Sequence, residues 1–419
     1  MDFGAGPVAL DNGQHLLIGA YRATLGLISE LGIEEHRILE RVPMRLQDSA
    51  GRRLSVQPLP APLHLIAGLL TATGLTIRER WAMARMIQGL RLQGWRAPIS
   101  ETVSELLERM GQPSELSRTL WTPLCISALN TPPARACART FARVLKESLG
   151  ANRSASDFLL PRATLSDCLP DPAVEKLTER GASLYWHAPV RSIAPPASGH
   201  RHWQLETSHG PIRARSVVLA CGLSSTRRLL AKVASGLDPS DAAQPALGNA
   251  MAALSAHQFE SIATLWTAWP RSAWPNPLSP LMLRWPRGET RFADWFFDRG
   301  EHHGHRLGAF VLSDAAEPGA RFEPGQALER ARLIARLQGL PEPVRAIAVI
   351  ERRATFTCHP DRPVPAQSRE GIVAGLWFAG DYTEPDYPAT LEAAVLSGRR
   401  MGVHAVAWLS DQSQAKPSA

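Results

Sequence analysis

The sequence is poor in cysteine. Five occur in 419 residues (Cys125, Cys137, Cys168, Cys221, Cys358); they are odd in number, widely spaced and never form CxxC, which excludes a disulfide framework and a zinc site of the usual spacing. A reducing, cytoplasmic compartment is the expectation. A Lys/Arg-rich run with interleaved aromatics is also missing. The 46 basic side chains exceed the 39 acidic ones by 7, but the excess is spread along the chain, so no nucleic-acid track is expected. No uncharged apolar run approaches the ~18 residues of a spanning helix. Met1–Gly6 has neither a basic n-region nor an apolar h-region, so no signal peptide is expected either. Gly222-Leu223-Ser224-Ser225 departs from Gly-x-Ser-x-Gly, which removes support for a hydrolase.

What is present is a chain 44% hydrophobic and 20% charged, long enough for two or three lobes. Val8–Leu10 reads as a short strand, Asp11–His15 as a polar loop and Leu16–Leu31 as a helix. Residues 62–95 place leucines, isoleucines and Trp81 at helical spacing, flanked by Arg78, Arg80, Arg85 and Arg91. Two readings stand open there: helices that lay one face on a bilayer surface, or helices of a substrate lobe with a solvated arginine face. Helices are also expected at 101–111, 115–129 and 134–149. From about residue 181 the pattern turns to strands, at 182–186, 192–194, 203–207 and 212–214, leading into the apolar run Ser216–Gly222. More strands are expected around 262–269, 281–285, 291–297 and 307–312, then a helix over 325–338. Glu301-His302-His303-Gly304-His305 lacks a spaced partner group and reads as a hairpin loop, so no metal site is assigned. Cys221 reads as a small buried residue.

The most informative stretch is Gly375–Arg399. A buried strand, Leu376-Trp377-Phe378-Ala379, ends in Gly380-Asp381, crosses the Pro-bounded loop Tyr382–Pro388 and enters a helix opening Ala389-Thr390-Leu391-Glu392-Ala393-Ala394. Small residues at a helix start let a planar ligand approach the backbone, and the free N–H groups there favour negative charge. Asp381 stands at a strand's carboxyl end, where open α/β sheets bind ligands, and can accept a bond from a ribitol hydroxyl.

This segment resembles the C-terminal FAD motif of the flavin-dependent amine-oxidase and phytoene-desaturase superfamily. Together with Leu10–Arg22 and the passages Pro62–Leu70 and Trp121–Pro132, it is similar to the squalene-associated branch, the hydroxysqualene dehydroxylases. The resemblance implies an α/β fold with a discontinuous, Rossmann-like FAD-binding domain (1–20, 181–235 and 345–409) that lacks its first β-α-β unit, and a mixed α+β substrate lobe (21–180 and 236–344), which faces a membrane on the first of the two readings of residues 62–95; residues 410–419 read as a flexible tail. It implies FAD as cofactor, a long apolar isoprenoid as substrate, and conversion of hydroxysqualene to squalene in hopanoid synthesis; a flavin desaturase or oxidase of another isoprenoid or an amine, and a non-catalytic truncated remnant, stand as the alternatives. It further implies that Asp11, Asn12, Gly13 and Gln14 face the flavin, that Gly380 and Asp381 contact its ribitol and pyrophosphate, and that Thr390, Leu391, Glu392 and Ala393 open the helix under the ring. His15 and Tyr382 are the candidates for assisting departure of the hydroxyl group. The twelve tryptophans are compatible with an isoprenoid tunnel and equally with an ordinary core.

The first β-α-β unit with its Gly-x-Gly-x-x-Gly turn, expected ahead of such a domain, does not appear in the sequence. Gly4-Ala5-Gly6-Pro7-Val8-Ala9 fits the letters, but only three residues precede it and no helix pattern follows. The expectation is a chain that begins beyond that unit.

Overall fold

The computed structural model describes residues 8–60, 63–197, 201–274, 276, 278–285, 291–313 and 324–414. Most of the Gly4–Ala9 stretch lies outside them. The chain forms two compact units, one of residues 1–22, 28–172 and 258–361, the other of residues 23–27, 173–257 and 362–419.

The larger unit is built on a seven-stranded sheet ordered Arg345–Phe356, Phe259–Pro270, His305–Ser313, Trp295–His302, Leu281–Met282, Arg45–Asp48, Arg53–Ser55. The three longest pairings are antiparallel, with Trp266 opposite both Ala309 and Ile347. Because side chains alternate along a strand, Phe259–Pro270 serves two cores. Ala263, Leu265 and Trp269 join Phe296, Phe310 and helix Ala327–Leu337 on one face. Trp266 and Ala268, with Trp295, Phe297, Ala309 and Val311, belong to the core on the other face, which includes Met86, Leu106, Leu129 and Phe141 from a helical layer. Helices Ile77–Leu92 and Val103–Arg109 of that layer start at capping boxes, Thr76 with Glu79 and Thr102 with Glu105, which satisfy orphan N–H groups reciprocally. Helix Thr122–Leu129 ends on Asn130 in the left-handed region (φ 45°). The hairpin His302–His305 turns through His303 and Gly304 at φ 47° and 77°, the pair of positive φ values that a two-residue type I′ loop requires.

The smaller unit holds the parallel pair Val217–Leu219 and Leu376–Phe378, an antiparallel meander of Val190–Ala194, Trp203–Thr207 and Gly210–Ala214, and helices Leu223–Gly236, Gln244–Ser255 and Leu391–Gln414. Trp377, Ala379 and Met401 form a small core with Trp408.

Several expectations are corrected. Residues 8–10 are not a strand; the strand is Leu17–Ile18, paired with Phe158–Leu159, and the following helix begins only at Arg22. Residues 182–186 are not a strand either: no neighbour pairs with them, and Tyr185 and Trp186 are exposed. Residues 345–356 pair with Phe259–Pro270 and so fold with the larger unit, while 236–257, whose helix packs on Leu223–Gly236, fold with the smaller. The last helix runs to Gln414, so residues 410–414 are helix rather than tail. Among the described residues no helix is long and apolar enough to cross a membrane.

Candidate flavin site

In the smaller unit, the parallel strands hold Trp377 opposite Val218, and the Ala379 N–H extends the ladder to the Leu219 carbonyl at 2.9 Å. Gln367 acts as a substitute strand on the other edge: its Nε2 donates to the Phe378 carbonyl at 2.7 Å and its Oε1 accepts the Phe378 N–H at 2.9 Å. Beyond the strand, Gly380 is extended (φ 165°, ψ 164°), and a Cβ there would come within 2.3 Å of the Tyr382 ring, so only glycine lets that ring lie back along the strand. The Gly380 N–H donates to Ser397 Oγ at 3.1 Å, and Thr383 Oγ1 lies 2.7 Å from the same atom, which fastens the turn to the last helix. Arg362 holds the loop from outside, donating to the carbonyls of Tyr382, Glu384, Pro385 and Tyr387 at 2.7–3.4 Å.

Tyr382 is buried, stacked on Phe378, with its hydroxyl 2.9 Å from Thr226 Oγ1 and 3.3 Å from the carbonyls of Cys221 and Ala379. Burial pushes its phenol above the ordinary value. The hydroxyl ties the ends of the two parallel strands together. Tyr382 is thereby a member of the frame.

Asp381 is largely withdrawn from water, which raises its carboxyl above the usual value, partly offset by the bond from the Tyr382 N–H at 2.9 Å and the charge of Arg362. No cation forms an ion pair with it among the described residues. Thr390 caps the last helix by accepting the Ala393 N–H at 3.2 Å, and the N–H groups of Leu391 and Glu392 have no acceptor among the described residues. The side chain of Glu392 is committed elsewhere: it accepts Ala23 N–H at 2.8 Å and both Thr24 N–H and Thr24 Oγ1–H at 2.9 Å. What it offers a cofactor is therefore its backbone N–H.

In the larger unit, the Asp11 carboxylate accepts the Leu165 N–H at 3.0 and 3.2 Å, at the start of the turn Leu165–Cys168. It holds a helix start, a role that the cofactor assignment did not foresee. Asn12 is exposed, and Gly13 lies over Thr264 at ordinary contact distance. The Gln14 N–H points at Thr264 Oγ1 at 3.4 Å and its Nε2 donates to the His15 carbonyl at 2.6 Å, while its buried Oε1 has no partner among the described residues. Burial lowers the His15 pKa from its ordinary value; Asp11 raises it and Arg299 lowers it further. Arg299, whose Nη2 donates to the Pro161 carbonyl at 2.8 Å, was not singled out by the sequence because Asp298-Arg299-Gly300 reads as hairpin. Nor was Trp266: two residues along from Thr264, and so on the same sheet face, its buried indole N–H has no acceptor among the described residues.

A parallel strand ending in an extended glycine and an unpaired carboxylate, with open N–H donors at a small-residue helix start, defines the cofactor side of an α/β oxidoreductase. The chain matches the family of flavin containing amine oxidoreductases over residues 2–402 and belongs to it; it is an FAD-dependent oxidoreductase. It is 25% identical, over 94% of its length and 85% of the relative's, to hydroxysqualene dehydroxylase of Rhodopseudomonas palustris. It is 27% identical, over 68% of its length and 61% of the relative's, to hydroxysqualene dehydroxylase of Sinorhizobium fredii. Among solved structures it is similar to cyclohexylamine oxidase from Brevibacterium oxydans, at a TM-score of 0.62 and 14% identity, covering 98% of this chain and 90% of that one. That likeness supports the α/β class with a Rossmann-like FAD domain and a substrate domain.

The residues present fit FAD. Asp381 provides a partly buried carboxylate that makes no ion pair among the described residues, suited to a ribitol hydroxyl, and Leu391 and Glu392 provide backbone donors for its electron-rich groups.

Proposed function

We propose that this chain reduces a hydroxylated isoprenoid, removing the hydroxyl of hydroxysqualene to give squalene in hopanoid synthesis. Sequence likeness to two hydroxysqualene dehydroxylases supports the substrate class. The observation that carries the reading is the pair of orphaned polar atoms in the larger unit. Among the described residues, Trp266 Nε1–H is a buried donor and Gln14 Oε1 a buried acceptor without a partner, and Trp266 belongs to the core that holds Trp295, Phe297, Ala309 and Val311. An unsatisfied buried polar group costs about 1–3 kcal/mol, so a ligand that satisfies either atom is favoured. One hydroxyl on a hydrocarbon chain both accepts from an indole and donates to an amide oxygen.

In the overall change a C–O bond is replaced by C–H, one proton and one hydride being consumed and water released. FAD, which Asp381 and the N–H groups of Leu391 and Glu392 would hold, would when reduced supply the hydride. The chain's own residues manage the oxygen: Trp266 orients it, and the apolar face excludes water from the carbon it leaves. His15, next to Gln14 in the chain, holds the proton that departs with it. Burial lowers the His15 pKa from its ordinary value, so the imidazolium gives up its proton more readily than an ordinary one. The protonated form is the active acid, so kcat/KM is expected to be full below the lowered pKa and to fall as pH rises through it. In His15→Gln this titration should vanish from the pH profile, with the residual rate about a hundredfold lower; an unchanged profile would remove His15 from the reaction.

Product analysis tests the proposal. Purified protein with FAD and an artificial reductant should form squalene from hydroxysqualene and leave phytoene and simple amines unchanged. Oxidation of an amine without formation of squalene would replace this reading by amine oxidation.

A further inference from the structure

Helices Leu63–Thr71 and Ile77–Leu92 of the larger unit share an outward surface that no core covers. On the first, Leu63, Ile66 and Leu70 recur at i, i+3 and i+7 and are exposed, while His64 and Gly68 face inward. Gly68 packs so closely on the strand below that a Cβ would meet the Ser55 carbonyl at 2.4 Å, which fixes the helix's inner face. On the second, Ala82, Met83, Met86 and Leu90 are buried, and Ile77 and Trp81, one turn apart on the opposite face, are 74% and 73% exposed. Arg80 closes the corner, donating to the Leu70 and Ala72 carbonyls at 2.7 and 2.6 Å, so its guanidinium pins the end of the first helix to the start of the second. Leu92 and Ile99 extend the exposed apolar set.

The charge around this surface has one sign. Residues 61–100 carry five arginines and one acidic residue, Glu79, and that carboxylate is buried in the capping box with Thr76. Arg78, Arg91 and Arg96 make no ion pair among the described residues. A second copy seated on the same surface would set these arginines against their own images. We infer that this surface docks on an anionic lipid bilayer: the leucines, isoleucines and Trp81 enter the acyl boundary and the arginines meet the headgroups.

The test uses the full chain without substrate, so its outcome does not depend on the proposed reaction. Sedimentation with phosphatidylcholine vesicles containing phosphatidylglycerol should carry the protein down, and with pure phosphatidylcholine should carry much less. Each of Arg78→Gln and Arg91→Gln should weaken anionic binding about fivefold, the equivalent of ~1 kcal/mol per cation near such a surface. Leu70→Glu combined with Trp81→Glu should weaken it more than about tenfold. Both positions are exposed, so the melting curve of the variant should match the parent, and Leu70→Gln with Trp81→Gln provides a charge-neutral second version. No partitioning of the parent, or equal partitioning of the variants, overturns the inference. Loss of self-association with vesicle binding unchanged would overturn it in favour of a second copy as the occupant.

Discussion

Glu392→Ala is expected to be among the most damaging single changes in the smaller unit, costing about 3–5 kcal/mol in its unfolding transition. The carboxylate receives three hydrogen bonds from Ala23 and Thr24, and Thr24 is fully buried, so alanine leaves two backbone N–H groups and a hydroxyl without an acceptor. Bonds to a charged acceptor contribute about 1.5–3 kcal/mol each, and stranded buried donors bear the full desolvation cost. Glu392→Gln keeps one acceptor oxygen and should lose roughly half as much. Thermal and denaturant melts of the three proteins, with FAD affinity measured alongside, check this. A Glu392→Ala variant as stable as the parent would show that the helix start is held by something other than this carboxylate.

The second large effect separates function from stability. Trp266→Phe removes an indole N–H that has no partner among the described residues, so no hydrogen bond between them is lost; the cavity left by the smaller ring should cost about 1–2 kcal/mol in stability. If the N–H receives the substrate's oxygen, kcat/KM for the hydroxylated isoprenoid should fall about tenfold, equivalent to one neutral hydrogen bond of ~1.4 kcal/mol. Binding of squalene, which has no hydroxyl, should be unaltered. Equal weakening of both ligands would assign Trp266 to packing alone, and no weakening of either would remove it from the site.

Legibility in the sequence followed the range of the interactions. Leu376–Phe378, the turn at Gly380-Asp381 and the helix beyond were readable because strand, glycine, proline-bounded loop and small-residue helix start are all local signals. The helix end was misplaced because Asp411-Gln412-Ser413-Gln414 is polar and carries neither glycine nor proline, so an exposed final turn looks like a tail. Arg45–Asp48 and Arg53–Ser55 escaped because their polar residues obscure the period, and Arg345–Phe356, an edge strand, carries Glu351-Arg352-Arg353 in its second half. Residues 182–186 show the opposite error: strand-forming residues form no strand without a neighbour to pair with.

Within the site, residue types were legible and their partners were not. Asp11 and Glu392 both look like ligand-binding carboxylates, yet they hold backbone N–H groups 154 and 368–369 residues away in sequence. Tyr382 looks reactive beside Asp381 but closes on Thr226, 156 residues distant. Trp266 and Arg299 carry no motif, and only folding sets them on the face of Thr264 and near His15.

The most direct measurement of the central claim is a single anaerobic turnover. Protein-bound FAD is reduced until its visible absorbance is bleached, mixed with hydroxysqualene in the absence of oxygen, and followed by absorbance while the organic phase is analysed. The account predicts return of the oxidised flavin spectrum with one equivalent of squalene formed per flavin reoxidised. Flavin that stays bleached while hydroxysqualene is recovered intact would contradict it.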